Sequence, residues 1–307
     1  MIRKLPFAMV LTIALSLNAT QSRADFNLFV SASAGGIYRV DASGNRTLFA
    51  PGNGSGSTEG LGFDSSGNLY VADGSVGKIE KYSPTGQDLG AFVSGLNGAF
   101  GVAVDRSNNV YVTGVGGGVK EFSPSGQALG TLIPNDSGTQ GITLDSRGNL
   151  HVADLNSLSI LKFSPNGQNL GQFGPSGPYD GLTFDAAGNL YAGLSSFEAI
   201  RKISPTGQDL GIFAGSAIDP SVGGAVGGLA LDTSGNLFAA YSGGFVERFS
   251  PTGQDLGVFA SIPGGAEFLA FAPSAAVPEP ASLTLLGLGL AGLIGYGRRR
   301  QRARTAA

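Results

Sequence analysis

Apolar residues in the central part of the chain come in short bursts separated by polar turn residues, and the bursts are of four kinds that recur in a fixed order. The first kind is Gly60-Leu61-Gly62-Phe63-Asp64, echoed at Gly101, Gly141, Gly181 and Gly228. The second, Leu69-Tyr70-Val71-Ala72, is continuously apolar and aromatic, as a strand covered on both faces must be. The third, Lys78-Ile79-Glu80-Lys81-Tyr82, alternates charged and apolar residues, so one side meets solvent. The fourth, Asp88-Leu89-Gly90-Ala91-Phe92, reads as an outer edge. This pattern predicts four short β-strands per unit.

The punctuation between bursts agrees. Asp64-Ser65-Ser66-Gly67 places Asp at the start of a type I turn and Gly where a left-handed residue is needed, which makes a hairpin of the first and second strands. Ser83-Pro84-Thr85-Gly86 joins the third and fourth in the same way, and its proline returns at Pro124, Pro165, Pro205 and Pro251, each two residues before a glycine. Two hairpins make one antiparallel four-stranded blade. The tripeptide Asn, apolar, aromatic (His once) recurs at Asn27, Asn68, Asn109, Asn149, Asn189 and Asn236, with spacings of 41, 41, 40, 40 and 47 residues. Periods near forty are those of propeller blades.

Strand counting predicts how the ring closes. The first repeat begins at its second strand, Asn27 to Ser31, and the last ends with a surplus first strand, Phe268 to Ala272. Paired, these halves complete one shared blade and leave no open sheet edge between the chain ends. The expected fold is therefore all-β: a six-bladed β-propeller over residues 25–276.

The two ends follow other rules. Residues 1–24 carry Arg3 and Lys4, an apolar run from Phe7 to Leu17 and a small-x-small ending at Ser22-Arg23-Ala24, the layout of a secretory signal peptide cleaved after Ala24. Residues 277–307 begin with Val277-Pro278-Glu279-Pro280, continue as the apolar stretch 281–297 and finish with Arg298, Arg299, Arg300, Arg302 and Arg304. As a helix that stretch is about 25 Å long, enough for a thin hydrocarbon core, and the arginines would hold its end in the cytoplasm. An ordinary C-terminal anchor has the same outline. The three parts in this order also resemble the PEP-CTERM sorting tail of Gram-negative bacteria. That resemblance implies an exosortase as partner, cleavage near Pro278-Glu279-Pro280, transient anchorage in the inner membrane, and delivery to the cell surface or the extracellular matrix.

Charge narrows the range of partners. The whole chain is at −3, but residues 25–276 hold 11 basic and 21 acidic residues. Such an acidic body repels polyanions, so nucleic acid is not an expected partner. Absence of cysteine rules out disulfides and thiolate zinc sites, leaving stability to core packing.

The stretch Asp64 to Asp73, repeated with changes at Asp145 to Asp154, resembles NHL-repeat propellers and the gluconolactonase group, a likeness that spans Asn27 to roughly Pro273. Several residues offer chemistry. His151, the single histidine, occupies the slot of Tyr70, Tyr111 and Tyr191 and reads as core filler; with one histidine and no nucleophile elbow, Ser-His-Asp catalysis has no support. The aspartates Asp64, Asp105, Asp145, Asp185 and Asp232 read as turn residues. The positions just before the first-strand glycines are more informative, because they break the repeat: Glu59, Phe100, Gln140, Asp180, Gly227 and Glu267. They should ring one mouth of the central channel. Glu59, Asp180 and Glu267 with Gln140 are oxygen ligands of the kind taken by a hard cation such as Ca²⁺ or another divalent metal.

Gluconolactonase-like propellers hold a metal at this rim through a Glu, an Asn and an Asp. The resemblance implies Asp180 for the Asp, Glu59 or Glu267 for the Glu, and Gln140 for the Asn, with glutamine in place of asparagine and no ligand from Phe100 or Gly227. The leading expectation is an exported binding scaffold without a resident cofactor, whose partner is an exopolysaccharide or envelope protein. The alternative is a metal-dependent lactonase-like hydrolase at the channel rim.

Overall fold

A computed structural model describes residues 26–52, 57–114, 118–134, 138–195, 198–215 and 224–273. These form 24 strands in six four-stranded antiparallel sheets, with no helix among them. The six-bladed propeller expected from the repeat is what the chain builds. Blade 1 consists of Thr58–Phe63, Leu69–Asp73, Lys78–Tyr82 and Asp88–Val93, ordered from the channel outward. Blades 2 to 5 repeat this order from inner strands Val102–Val104, Thr139–Leu144, Tyr179–Phe184 and Val226–Leu231.

Burial follows the polarity of the bursts. The second strand is buried at every residue in all six blades, because both of its faces are covered by neighbouring blades. The third strand is partly covered, and the outer strand Asp88–Val93 is largely exposed. Six apolar clusters fill the structure, and most join the facing sides of two adjacent blades. Tyr70, Ala72 and Ile79 of blade 1, for example, pack on Val102, Val110 and Phe122 of blade 2.

The sixth blade is assembled from both ends of the propeller. Its inner strand, Ala266–Phe271, pairs antiparallel with Leu28–Ala32, in the register Leu28 with Phe271 and Phe29 with Ala270. Ile37–Val40 and Arg46–Ala50 complete it. The strands begin one residue later and two residues earlier than the polarity pattern indicates, and a bulge between Val30 and Ala32 shifts their register. At the bulge the Ser31 hydroxyl accepts the Phe268 N–H at 3.0 Å. Phe26, Phe238, Phe259 and Phe271 close the seam with edge-on ring contacts of 5.0 to 5.6 Å, each worth about 1 kcal/mol.

Two glycine positions allow the blades to approach. On the inner strands, the Gly60 N–H donates to Phe100 O of the next blade at 2.6 Å. A Cβ at Gly181 would lie 1.8 Å from Gly227 O, so the main chains meet where no side chain fits. Residues 1–24, where a signal peptide is expected, the apolar stretch 281–297 and the arginine end lie outside the described residues.

Candidate functional site

The inner strands all run in one sense around the channel. Glu59, Phe100, Gln140, Asp180, Gly227 and Glu267 therefore stand at one mouth, one step above the glycines, while Phe63, Val104, Leu144, Phe184, Leu231 and Phe271 lie toward the other. Below the glycines the channel opens into a cavity of about 330 Å³ lined by residues such as Ile142, Leu182, Leu229 and Ala230.

At the upper mouth the three carboxylates sense one another. Burial pushes Asp180 up to about 7, and the negative charges of Glu267 and Glu59 add to the effect. Its Oδ1 is buried and has no hydrogen-bond partner. Glu59 is also raised, by burial above all and by the charges of Glu267 and Asp73, against a hydrogen bond from the Ser57 hydroxyl that pulls the other way. Glu267 accepts the Ser33 hydroxyl. The main-chain oxygens of Phe100 and Gln140 are engaged at the blade junctions, by the Gly60 N–H and the Thr113 hydroxyl.

Glu59, Asp180 and Glu267 thus form one electrostatic neighbourhood. Among the described residues no three His, Cys, Asp or Glu side chains are grouped as a metal ion requires, a grouping that leaves the amide of Gln140 aside. Ser33 and Ser57 are not legible in the repeat, because neither occupies the position before a first-strand glycine. Ser57 stands two residues ahead of Glu59, the spacing of side chains on one face of a strand.

The turn aspartates do what the repeat implies. Asp64 Oδ1 accepts the N–H groups of Ser66 and Asn68 at 3.0 and 2.9 Å, and its Oδ2 accepts the Asn68 amide at 2.8 Å. Asp105, Asp145 and Asp232 make the same three bonds, and Asp185 makes the two to Asn189. Burial opposes ionisation of Asp145, but these bonds and Lys162 outweigh it and hold the carboxyl down to about 2. His151 is fully buried between Phe173 and Phe184, with ring centroids 4.6 and 4.9 Å away. Burial first, and then the Lys162 charge, push it down to about 4, so it is neutral at pH 7.

Similarity to known proteins divides along the same line as the chain. The model for the PEP-CTERM protein-sorting motif matches residues 276–301. The chain carries a PEP-CTERM tail. That tail implies recognition by an exosortase, export and membrane-anchored processing; Val277 to Pro280 and Arg298 to Arg300 lie outside the described residues.

The propeller is similar to a gluconolactonase from Xanthomonas campestris at 18% identity and a TM-score of 0.61, covering 81% of this chain and 84% of that one. It is similar to a chain of a nidogen/laminin complex at 18% identity and a TM-score of 0.67, covering 81% and 99%. A protein of unknown function from Bacteroides caccae is similar at 13% identity and a TM-score of 0.61, covering 80% and 98%. Likeness at these identities shows a shared fold. No curated relative matches the chain.

Proposed function

We propose that this chain is an exported surface or matrix propeller, processed by an exosortase and displayed as a binding scaffold for an extracellular polymer or envelope protein. The observation that carries this reading is the sorting motif at 276–301 following a ring that closes by Pro273. The closed ring supports it physically, since such a disc offers no unpaired edge at the chain junction and two broad faces for contact.

The test is expression with and without a PEP-CTERM-processing exosortase, read by intact mass. The expected result is loss of the residues beyond Pro278-Glu279-Pro280 only when the exosortase is present. A mature chain that keeps Arg298 to Arg304 in its presence would overturn the proposal.

The second reading, a metal-dependent lactonase-like hydrolase at the rim, is supported by the shared field of Glu59, Asp180 and Glu267 and by the unpartnered Asp180 oxygen. Binding is the reading we favour, on the strength of the sorting motif at 276–301.

A further inference from the structure

The interface between blades 2 and 3 departs from the repeat at several points, and two of the departures, Arg106 and Arg147, line one cavity. At each blade junction the turn between third and fourth strands lays a glycine on the outer strand of the preceding blade. Gly86, Gly126, Gly207, Gly253 and Gly44 meet Phe49, Phe92, Phe173, Phe213 and Phe259, whereas Gly167 of blade 3 meets Leu132. In blades 1 and 4 that phenylalanine packs edge-on against the second-strand tyrosine, as Phe92 does on Tyr70 at 4.8 Å and Phe213 on Tyr191 at 4.9 Å. In blade 2 a leucine takes its place beside Tyr111.

The third strand departs as well. Lys81, Lys162 and Lys202 approach the turn aspartates of blades 1, 3 and 4 at 3.6, 3.3 and 3.9 Å. The corresponding residue of blade 2 is Glu121, which accepts the Tyr111 hydroxyl at 3.1 Å.

A cavity of about 440 Å³ opens at this junction, on the mouth away from Glu59 and Asp180. It is lined by Tyr111, by the turn Asp105-Arg106-Ser107 of blade 2 and by the turn Asp145-Ser146-Arg147 of blade 3. It shares Val104 and Leu144 with the channel cavity. The matching turn positions elsewhere are Ser65-Ser66, Ala186-Ala187 and Thr233-Ser234, all uncharged. Both arginines of these turns thus line one cavity, in a body with 21 acidic and 11 basic residues.

Arg106 and Arg147 are exposed, and among the described residues neither guanidinium has an ion-pair partner. Asp105 and Asp145 are already engaged by turn N–H groups and asparagine amides. The unspent capacity at the cavity is therefore two forked cations, suited to a carboxylate, beside the hydroxyls of Ser107 and Ser146, which exchange hydrogen bonds with alcohols. The volume suits a ligand of one or two sugar rings.

From this we infer that the cavity between blades 2 and 3 binds a carboxylate-bearing saccharide unit, held through its acid group by Arg106 and Arg147. The inference rests on the scaffold reading above and names its site and ligand class.

The test is calorimetric titration of the full chain, kept soluble in detergent, with oligogalacturonate. A neutral malto-oligosaccharide and inorganic phosphate serve as the other probes. Arg106→Ser with Arg147→Ser restores the Asp-Ser-Ser turn that blade 1 already folds, so the variant should melt like wild type. Arg39→Ser with Lys120→Ser removes the same charge away from the cavity.

The expected result is binding of oligogalacturonate alone, weakened about tenfold or more by the arginine pair and unchanged by the control pair. Equal weakening by both pairs, equal binding of the neutral sugar or of phosphate, or no binding of oligogalacturonate would overturn the inference. Each of these outcomes leaves the exosortase result, read by mass, standing on its own.

Discussion

His151→Phe tests the account of the core most directly. The imidazole has no exposed surface and sits edge-on to Phe173 and Phe184, while its Nε2 lies 3.5 Å from Asp145 Oδ2. Asp145 is already paired with Lys162 at 3.3 Å, so its charge is largely spent. Burial and Lys162 hold the folded-state value near 4, against an ordinary 6.5. The unfolded chain therefore takes up a proton at His151 as pH falls below about 6.5, whereas the folded chain resists until about 4, and stability drains away between those limits.

Worked through, the loss attributable to His151 is about 2 kcal/mol between pH 7 and pH 5, and about 3 kcal/mol by pH 4. Phenylalanine already fills this slot in blade 5 as Phe238, fully buried. The His151→Phe variant should match wild type within about 1 kcal/mol at pH 7 and exceed it by about 2 kcal/mol at pH 5. Urea unfolding at the two pH values measures the difference, and the other titrating groups cancel because both proteins share them. Parallel loss of stability in the two proteins would refute the claim that the buried ring is held neutral.

Two further predictions concern the channel. Asp180→Asn removes a carboxyl whose folded-state value lies near 7, above its ordinary 3.8. The charged form costs stability above pH 7, and that cost fades as pH falls through 7, so the variant should gain about 2.5 kcal/mol more over wild type at pH 8 than at pH 5. Equal gains at both pH values, again by urea unfolding, would count against it. Gly181→Ala would put a Cβ 1.8 Å from Gly227 O, while Gly90→Ala meets open space at a φ of +88°. The first should cost more than about 3 kcal/mol and the second about 1 to 2 kcal/mol. Similar melting temperatures for the two variants would mean that the inner strands do not meet as tightly as described.

Repetition made the architecture legible from the sequence. Strand kind and order, the Asp and Gly of each turn, the sharing of the last blade between both ends and the sorting tail all rest on local spacing, and local spacing is written in the chain. A turn aspartate needs only its own next four residues, as Asp64 needs Ser66 and Asn68. Equally, His151 was readable as core because five other blades show what its slot contains.

Tertiary structure decided whatever depends on residues from different blades. Glu59, Asp180 and Glu267 were predictable as neighbours around one mouth, but their separation follows from the tilt and spacing of three inner strands, and it leaves their charges coupled. Leu132, Glu121, Arg106 and Arg147 look like unrelated lapses of the repeat when read in order. Arg106 and Arg147 come to line one cavity, with Leu132 and Glu121 at the same blade junction, only because blade 2 folds against blade 3 and brings residues some forty positions apart together. The sequence determined the blade, a local hydrogen-bonded object. The ring determined the sites, since burial and electrostatic coupling depend on distance in space rather than along the chain.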